Sequence, residues 1–502
     1  METLFAPGDK MAGYNVLLIS SDHHRGDAFS ILEHPVAFTP HLDKLAQQGI
    51  LFRRAYSECP VCIPARITIM TGRRPGKDDA STGYNYYEEC SPIRHEQTLP
   101  RLFTRAGYQT QAVGKMHFFP QRCRYGFDST IIEEEGRLLP GLHRDNYEQW
   151  LQDQGLAGDY HSHGVTNNEL TARPWHLPEA AHPTNWTARE SCRWLLRRDP
   201  EAPFFLWMSF SAPHPPFTPP QSYWEIYRDI QIPEPRGGDW SSPEKMPAEI
   251  RRISIPGNHE TYTGWRYDQT VRAYHALITQ IDLQISLVLG TLREQGLLED
   301  TIILYISDHG DMMGDFGLFA KRVFYEGAAN VPFILVLPKD HPEYRYGEIC
   351  HHPVGLQDLL PTLLDAAGLE ISEDTTGISA LRGLKNPEQA RKLVHGDYKK
   401  GRDTPDASHL LTDGKIKYIW YNEGDIEHLF DLEEDPLEQV NLAAREEHHD
   451  LARRWRQSLV SVLEQENSPD VKNGQLLSLP YPEIDVKRYR GENYFNPRGM
   501  HY

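Results

Sequence analysis

Tyr14-Asn-Val-Leu-Leu-Ile-Ser20-Ser21-Asp22-His23-His24-Arg25-Gly26-Asp27 sets a nearly continuous apolar run of strand length directly before a charged loop. A strand that is apolar on both faces is covered on both faces, the habit of a parallel sheet sandwiched by helices. Such sheets carry their chemistry in the loops at the carboxyl ends of their strands, which draws attention to Asp22 and His23. Thr39-Pro40-His-Leu-Asp-Lys-Leu-Ala-Gln-Gln-Gly49 reads as a short helix, with Thr39 as N-cap, Pro40 in the first turn and Gly49 as its stop. Leu51-Phe-Arg-Arg-Ala-Tyr-Ser57 then alternates like a strand. Strand, helix, strand is the building block of an α/β fold with a large, mostly parallel sheet.

The same pattern recurs along the chain. Gly107-Tyr-Gln-Thr-Gln-Ala-Val-Gly114 runs into Lys115-Met116-His117, and Pro203-Phe-Phe-Leu-Trp-Met-Ser-Phe210 runs into His214 between prolines. Thr301-Ile-Ile-Leu-Tyr-Ile-Ser307 empties into Asp308-His309-Gly310-Asp311, Lys321 follows, and Val331–Leu337 is the last clear strand of the sheet. Parallel strands align their exits on one edge, so these distant polar groups can converge. Helical stripes are expected over Asp268–Gln295, stopped by Gly296, and over Leu356–Ala367 before Gly368. Residues 120–185 and 232–265 have weak periodicity and read as excursions that wall a pocket.

Cys59-Pro-Val-Cys62-Ile-Pro-Ala-Arg66-Ile-Thr-Ile-Met-Thr71-Gly-Arg73 puts Cys62 where a strand turns into a helix, with Pro64 suited to the first turn. Free N–H groups and the positive end of the helix dipole lower a thiol pKa or hold an anion there. A buried structural thiol and a Cys59/Cys62 redox pair are the competing readings.

At 502 residues the chain is long enough for two or three domains, and 39% hydrophobic with 25% charged residues is ordinary for a globular protein. A net charge of −19 argues against a nucleic-acid partner. No basic start with an apolar run opens the chain, and no stretch reads as a membrane span, so a cytoplasmic protein without a membrane partner is expected. Cys59, Cys62, Cys90, Cys123, Cys192 and Cys350 form no dense framework, which fits a reducing compartment. After residue 385 the pattern changes. Lys415–Tyr421 alternates like a half-exposed strand, and an amphipathic helix over 443–466 would back a smaller antiparallel sheet. The expected division is a catalytic unit over 1–385, a small α+β subdomain over 386–467 and a tail over 468–502, the tail being a candidate contact for a homo-oligomer.

Cys62-x-Pro-x-Arg66 followed by Thr71-Gly-Arg73 resembles the signature of the type I sulfatases of the alkaline phosphatase superfamily. Asn15–Asp22 is similar to that family's opening strand and first metal aspartate, Gly114-Lys115-Met116-His117 to its Gly-Lys-Trp-His motif, and Ser307–Leu318 with Lys321 to its second metal segment. Leu429-Phe-Asp-Leu-Glu-Glu-Asp-Pro-Leu-Glu-Gln-Val-Asn441 looks like its C-terminal sheet motif.

That resemblance implies hydrolysis of a sulfate ester by Cys62 oxidised to formylglycine, with one divalent cation on Asp22, Cys62, Asp308 and His309. Calcium prefers oxygen, whereas the His309 imidazole suits manganese or another transition ion, and magnesium stays admissible. His23, where an acidic or amide residue is common, either ligates or lines the site. The hydrated aldehyde is a geminal diol that attacks sulfur through one hydroxyl and expels sulfate through the other. By the same resemblance Arg66 holds the diol and Lys115 and Lys321 balance sulfuryl charge. His117 orients or deprotonates the diol, and His214, or alternatively Lys321, assists the leaving oxygen. A maturation enzyme that forms formylglycine is the implied partner, and a small anionic sulfate ester, aryl or otherwise, the implied substrate, with Tyr84, Tyr86 and Tyr87 as candidates to stack on it. The rival functions are a phosphonate monoester or phosphodiester hydrolase using the same site, and an inactive hydrolase-fold binding protein.

Overall fold

A computed structural model describes residues 13–74, 93, 97–137, 144–156, 160, 163–165, 167–242, 244–254, 264–373, 375–399 and 406–483. Tyr84, Tyr86, Tyr87, Cys90 and the tail beyond residue 483 lie outside the described residues. Eight strands form the main sheet in the order Ser129–Ile132, Gln109–Gly114, Phe204–Ser209, Asn15–Ser21, Thr301–Ser307, Phe333–Val336, Ile50–Phe52 and Glu348–Cys350. The first five run parallel, Phe333–Val336 runs against both its neighbours, and the last two run parallel to each other.

Alternating side chains of the central strands feed two apolar layers. On one face Val16, Leu18, Phe205, Trp207, Ile302 and Leu304 pack with Ile69, Phe103 and Leu363 from the helices Cys62–Thr71, Leu99–Arg105 and Leu359–Ala366. On the other, Leu17, Ile19, Leu206, Met208, Ile303 and Tyr305 lie under Pro40–Gln48, Pro183–Arg197 and Trp265–Glu294. Full burial of each such aliphatic or aromatic side chain stabilises the fold by about 1.5–3 kcal/mol. Trp265–Glu294 is long and apolar enough to cross a membrane, contrary to the expectation that no stretch would be. However, 67% of its apolar window is buried inside the protein, so its apolar stripe is spent on the sheet.

Four strands, Val394–Tyr398, Ser408–Thr412, Ile416–Tyr421 and Ile426–Asp431, make a second, antiparallel sheet. Leu411, Tyr418, Trp420 and Leu429 pack against Leu459 and Leu463 of the helix His449–Gln465. Its other face, through Leu410, Ile419, Tyr421 and Phe430, packs on Tyr56, Phe324 and Tyr325.

Several local expectations are corrected. The strand expected over Leu51–Ser57 is broken at Arg53-Arg54: Ile50–Phe52 joins the main sheet, while Ala55–Tyr56 pairs with Val354–Gly355. Thr39 is the N-cap residue, but its hydroxyl donates to Asp43; the helix N–H groups of His41 and Leu42 are capped by the Asp282 carboxylate. The long helix begins at Trp265 rather than Asp268, and the C-terminal helix at His449, after two 3-10 turns. The expected 120–185 excursion supplies the edge strand Ser129–Ile132 and the helix Asn146–Asp153, and runs into the helix Pro183–Arg197.

Candidate active site

Strand register aligns the polar exits. Ser20 lies opposite Ser209, Ser21 opposite Ser307, and Gly114 opposite both Ser209 and Ile132. The segments starting at Asp22, Lys115, Glu133, Phe210 and Asp308 therefore leave the sheet at one level. Gly114 permits this: its φ is +96, and a Cβ there would fall 2.0 Å from the Ser209 carbonyl oxygen. Three non-glycine residues at the rim, His23, His117 and Glu135, also hold positive φ values of 72, 58 and 57. Backbone strain of this kind concentrates where neighbouring structure fixes functional side chains.

Cys62 is the first residue of the helix Cys62–Thr71, reached through the loop Ser57–Val61 rather than directly from a strand. It is only 4% exposed. Its sulfur accepts from Lys321 Nζ at 2.9 Å and lies 3.3 Å from His309 Nε2 and 3.7 Å from Asp22 Oδ1. Burial raises the thiol pKa, but Lys321, Lys115 and His309 outweigh it and hold the thiol well below its ordinary value. Cys59 has the opposite surroundings, packed with Tyr56, Trp240 and Phe324, and burial followed by Asp397 pushes its thiol well up. The two thiols are thus held in opposite directions by different neighbours, unlike the shared environment of a redox dithiol.

Around Cys62, one donor atom from each of Asp22, His23, Cys62 and His309 lies within 4.8 Å of the others. His309 Nδ1 is engaged by the Gly310 carbonyl at 2.9 Å, which leaves Nε2 turned toward Asp22 Oδ1 at 3.5 Å. Fixing one imidazole nitrogen so that the other faces inward is how proteins orient metal-binding histidines. The donors thus fit a divalent cation. Asp308 is at the same place but turned: Oδ2 accepts from Arg66 Nε at 2.9 Å, and Oδ1 lies 3.9 Å from His309 Nε2. Burial, then the neighbouring Asp22, pushes Asp308 up to about 6. Asp22 goes the other way, well below the usual range: burial and Cys62 oppose this, but Lys115, His214 and His23 prevail.

Arg66, 1% exposed, donates through Nη1 to the Lys115 carbonyl at 2.6 Å and to Ser209 Oγ at 3.0 Å. Its Nη2 meets no hydrogen-bond partner among the described residues and faces Asp22 Oδ2 at 3.7 Å. Lys115 bridges Asp22 and Glu135, the latter at 2.8 Å. His117 is contacted by Arg137, and burial, then Arg137, pulls its pKa down to about 3. His214 stands edge-on to His23 with ring centroids 4.5 Å apart. Lys321 Nζ donates to His23 Nε2 at 2.7 Å, and His23 Nδ1 meets Asp311 Oδ2 at 2.7 Å. Because Nε2 accepts from an ammonium, Nδ1 carries the proton and donates to Asp311.

Of the residues singled out from sequence, Asp22, His23, Cys62, Arg66, Lys115, His117, His214, Asp308, His309 and Lys321 meet at this rim, whereas Tyr84, Tyr86 and Tyr87 lie outside the described residues. Sequence reasoning missed Glu135 and Arg137, and gave Asp311 no role. Glu133-Glu134-Glu135 has the look of a solvated charge run, yet all three are buried. The available signal was its place directly after Ser129-Thr-Ile-Ile132, another strand exit.

The model of the Sulfatase family matches residues 14–369. The chain belongs to the sulfatase family. A second match, to the C-terminal region of N-sulphoglucosamine sulphohydrolase, spans residues 314–465 and so includes Lys321 and the antiparallel sheet. This sulfatase is 35% identical to an arylsulfatase of Clostridium perfringens over 95% of this chain and 99% of that one. It is 29% identical to a choline-sulfatase of Rhizobium meliloti over 86% and 82% of the two chains. Among solved structures, the phosphonate monoester hydrolase of Agrobacterium radiobacter superposes with a TM-score of 0.75 at 25% identity, covering 90% of this chain and 96% of that one. The sulfatase has the alkaline phosphatase-like fold of that superfamily and is a sulfuric ester hydrolase.

Proposed function

We propose that this sulfatase cleaves a small sulfate ester to an alcohol and inorganic sulfate, with residue 62 matured from cysteine to formylglycine and one divalent cation held by Asp22, Asp308, His309 and residue 62. The carrying observation is the convergence of Lys321, His309 and Asp22 on the Cys62 sulfur at 2.9, 3.3 and 3.7 Å. When bound, the cation and the hydrated aldehyde supply a nucleophilic oxygen at neutral pH.

The chain's own residues do the rest. Arg66 is anchored on Asp308, the Lys115 carbonyl and Ser209, with its Nη2 facing Asp22 Oδ2 and free of hydrogen bonds among the described residues, and it holds the nucleophile. Lys115, beside Asp22, and Lys321, beside Cys62, bring fixed positive charge for the sulfuryl oxygens. His117, held neutral and contacted at Nε2 by Arg137, orients the nucleophile, and His214 assists the departing oxygen. The small size of the ester, a cytoplasmic location and dependence on a maturation enzyme are parts of the same proposal.

A phosphonate monoester is the second reading, favoured by the likeness to the Agrobacterium radiobacter hydrolase. Peptide mass across residue 62 in protein from the native host, combined with turnover of 4-nitrophenyl sulfate and a 4-nitrophenyl phosphonate monoester, tests both. The aldehyde mass with preferred sulfate turnover is expected. An active sample with an unmodified thiol overturns the nucleophile, and preferred phosphonate turnover overturns the substrate.

A further inference from the structure

Glu135 is buried, sits at positive φ, and meets three basic side chains of the site. Its Oε2 lies 2.8 Å from both Lys115 Nζ and Arg137 Nη2, and its Oε1 3.3 Å from His214 Nδ1. The Asn167 amide donates to the Glu135 carbonyl at 3.4 Å and helps fix the strained turn. His214 Nδ1 also faces the Pro215 carbonyl at 2.6 Å. Both neighbours of Nδ1 are acceptors, so Nδ1 must carry a proton and donate. His214 Nε2 is buried and meets no hydrogen-bond partner among the described residues. A histidine fixed at one nitrogen and unpartnered at the other is prepared to act through the second.

Resting on the sulfatase reading above, we propose that Glu135 is a positioning residue for leaving-group assistance: its carboxylate fixes the Nδ1–H form and the aim of His214, so that Nε2 serves the departing oxygen. The acting form is His214 protonated at both nitrogens, which burial opposes and the Glu135 carboxylate favours: as the sulfur–oxygen bond to the alcohol breaks, its electron pair goes to that oxygen, which takes the Nε2 proton. His214 is left neutral with its Nδ1 proton still donated to the Pro215 carbonyl, the Glu135 carboxylate standing 3.3 Å from the same nitrogen. The nucleophile's oxygen forms the new bond to sulfur in the same step. Burial, Lys115, Lys321 and His23 all disfavour a charged His214, and Glu135 is the carboxylate beside it that opposes them. Glu135 also pairs with Arg137, which contacts His117, so one carboxylate is linked to both His214 and the neighbour of His117.

The test is the leaving-group dependence of kcat/KM in mature enzyme. Glu135→Gln should slow an alkyl sulfate by about 10²-fold or more, the size of a lost general acid, yet slow 4-nitrophenyl sulfate by less than about tenfold, because that phenolate leaves unaided. His214→Asn should show the same steepened dependence, and the double variant should be no worse than His214→Asn alone. Equal losses on the two esters, or additive losses in the double variant, would overturn the proposal while leaving the sulfatase reading intact. Should Glu135→Gln fail to fold, Glu135→Asp carries the same comparison. Wild-type enzyme that turns over neither ester refutes the sulfatase reading itself.

Discussion

Lys321 donates to the Cys62 sulfur across 2.9 Å, so residue 62 meets an ammonium before any substrate arrives. The same nitrogen donates to His23, whose other nitrogen is held by Asp311. This chain of contacts fixes Lys321 from behind and lets a flexible side chain act as a placed charge.

In chain made without the maturation enzyme, Cys62 should therefore remain thiolate below the ordinary thiol pKa. Its folded pKa is depressed, so the thiolate's contribution to stability is complete above the unfolded value and declines progressively as pH falls from there through the folded one. Thiolate ultraviolet absorbance, read as wild type minus Cys62→Ala, should persist on acidification and disappear at higher pH in Lys321→Met. An ordinary thiol titration in the wild type would contradict this.

Arg66→Met should destabilise the fold by about 3–5 kcal/mol, because Asp308 loses its buried partner. Protonation relieves an unpaired carboxyl, and Asp308 already titrates near 6, so the loss should be smaller below that pH than above it. Urea midpoints on both sides of pH 6 measure it; a pH-independent loss would point to packing instead.

Chelation should abolish turnover, and manganese should restore it further than calcium does. The inward Nε2 of His309 is a nitrogen donor, which calcium accepts poorly. Equal recovery with the two ions would argue for an oxygen-only set.

Glu58 offers a test remote from the site. It is buried, accepts from the Leu356 and Gln357 N–H groups, and burial followed by Asp358 pushes it from 4.5 up to about 7. A raised carboxyl pKa means that the native state holds a proton the unfolded state has released. Stability from this group is therefore lost as pH rises from 4.5 through 7, by about 3 kcal/mol. Glu58→Gln should gain on wild type across that window, as followed by denaturant midpoints; a constant difference would exclude the effect.

The strand exits were legible because a doubly buried parallel strand needs an unbroken apolar run and a polar loop after it, both local patterns. Cys62-x-Pro-x-Arg66, Lys115 with His117, and Asp308-His309 could be read the same way, each being a short sequence tied to one turn. Glu135 was not, since a run of three glutamates looks solvated until the register of Gly114 with Ile132 carries it beside Lys115. Nor could the Asp282 cap on the Pro40–Gln48 helix be read, as its partners lie more than two hundred residues apart.

By itself, then, the sequence determined the central strands of the main sheet, the charged loops that follow them and which cysteine opens a helix, because hydrophobic period and turn chemistry act over a few residues; the edge strands Ser129–Ile132 and Glu348–Cys350 escaped it. Only the tertiary structure decided which charges share a partner: that Asp311 holds His23, that Glu135 gathers Lys115, Arg137 and His214, and that Arg66 is locked to Asp308. Hydrogen bonds and ion pairs act over a few ångströms, and the distances between these groups are set by strand order and register, which no local pattern encodes.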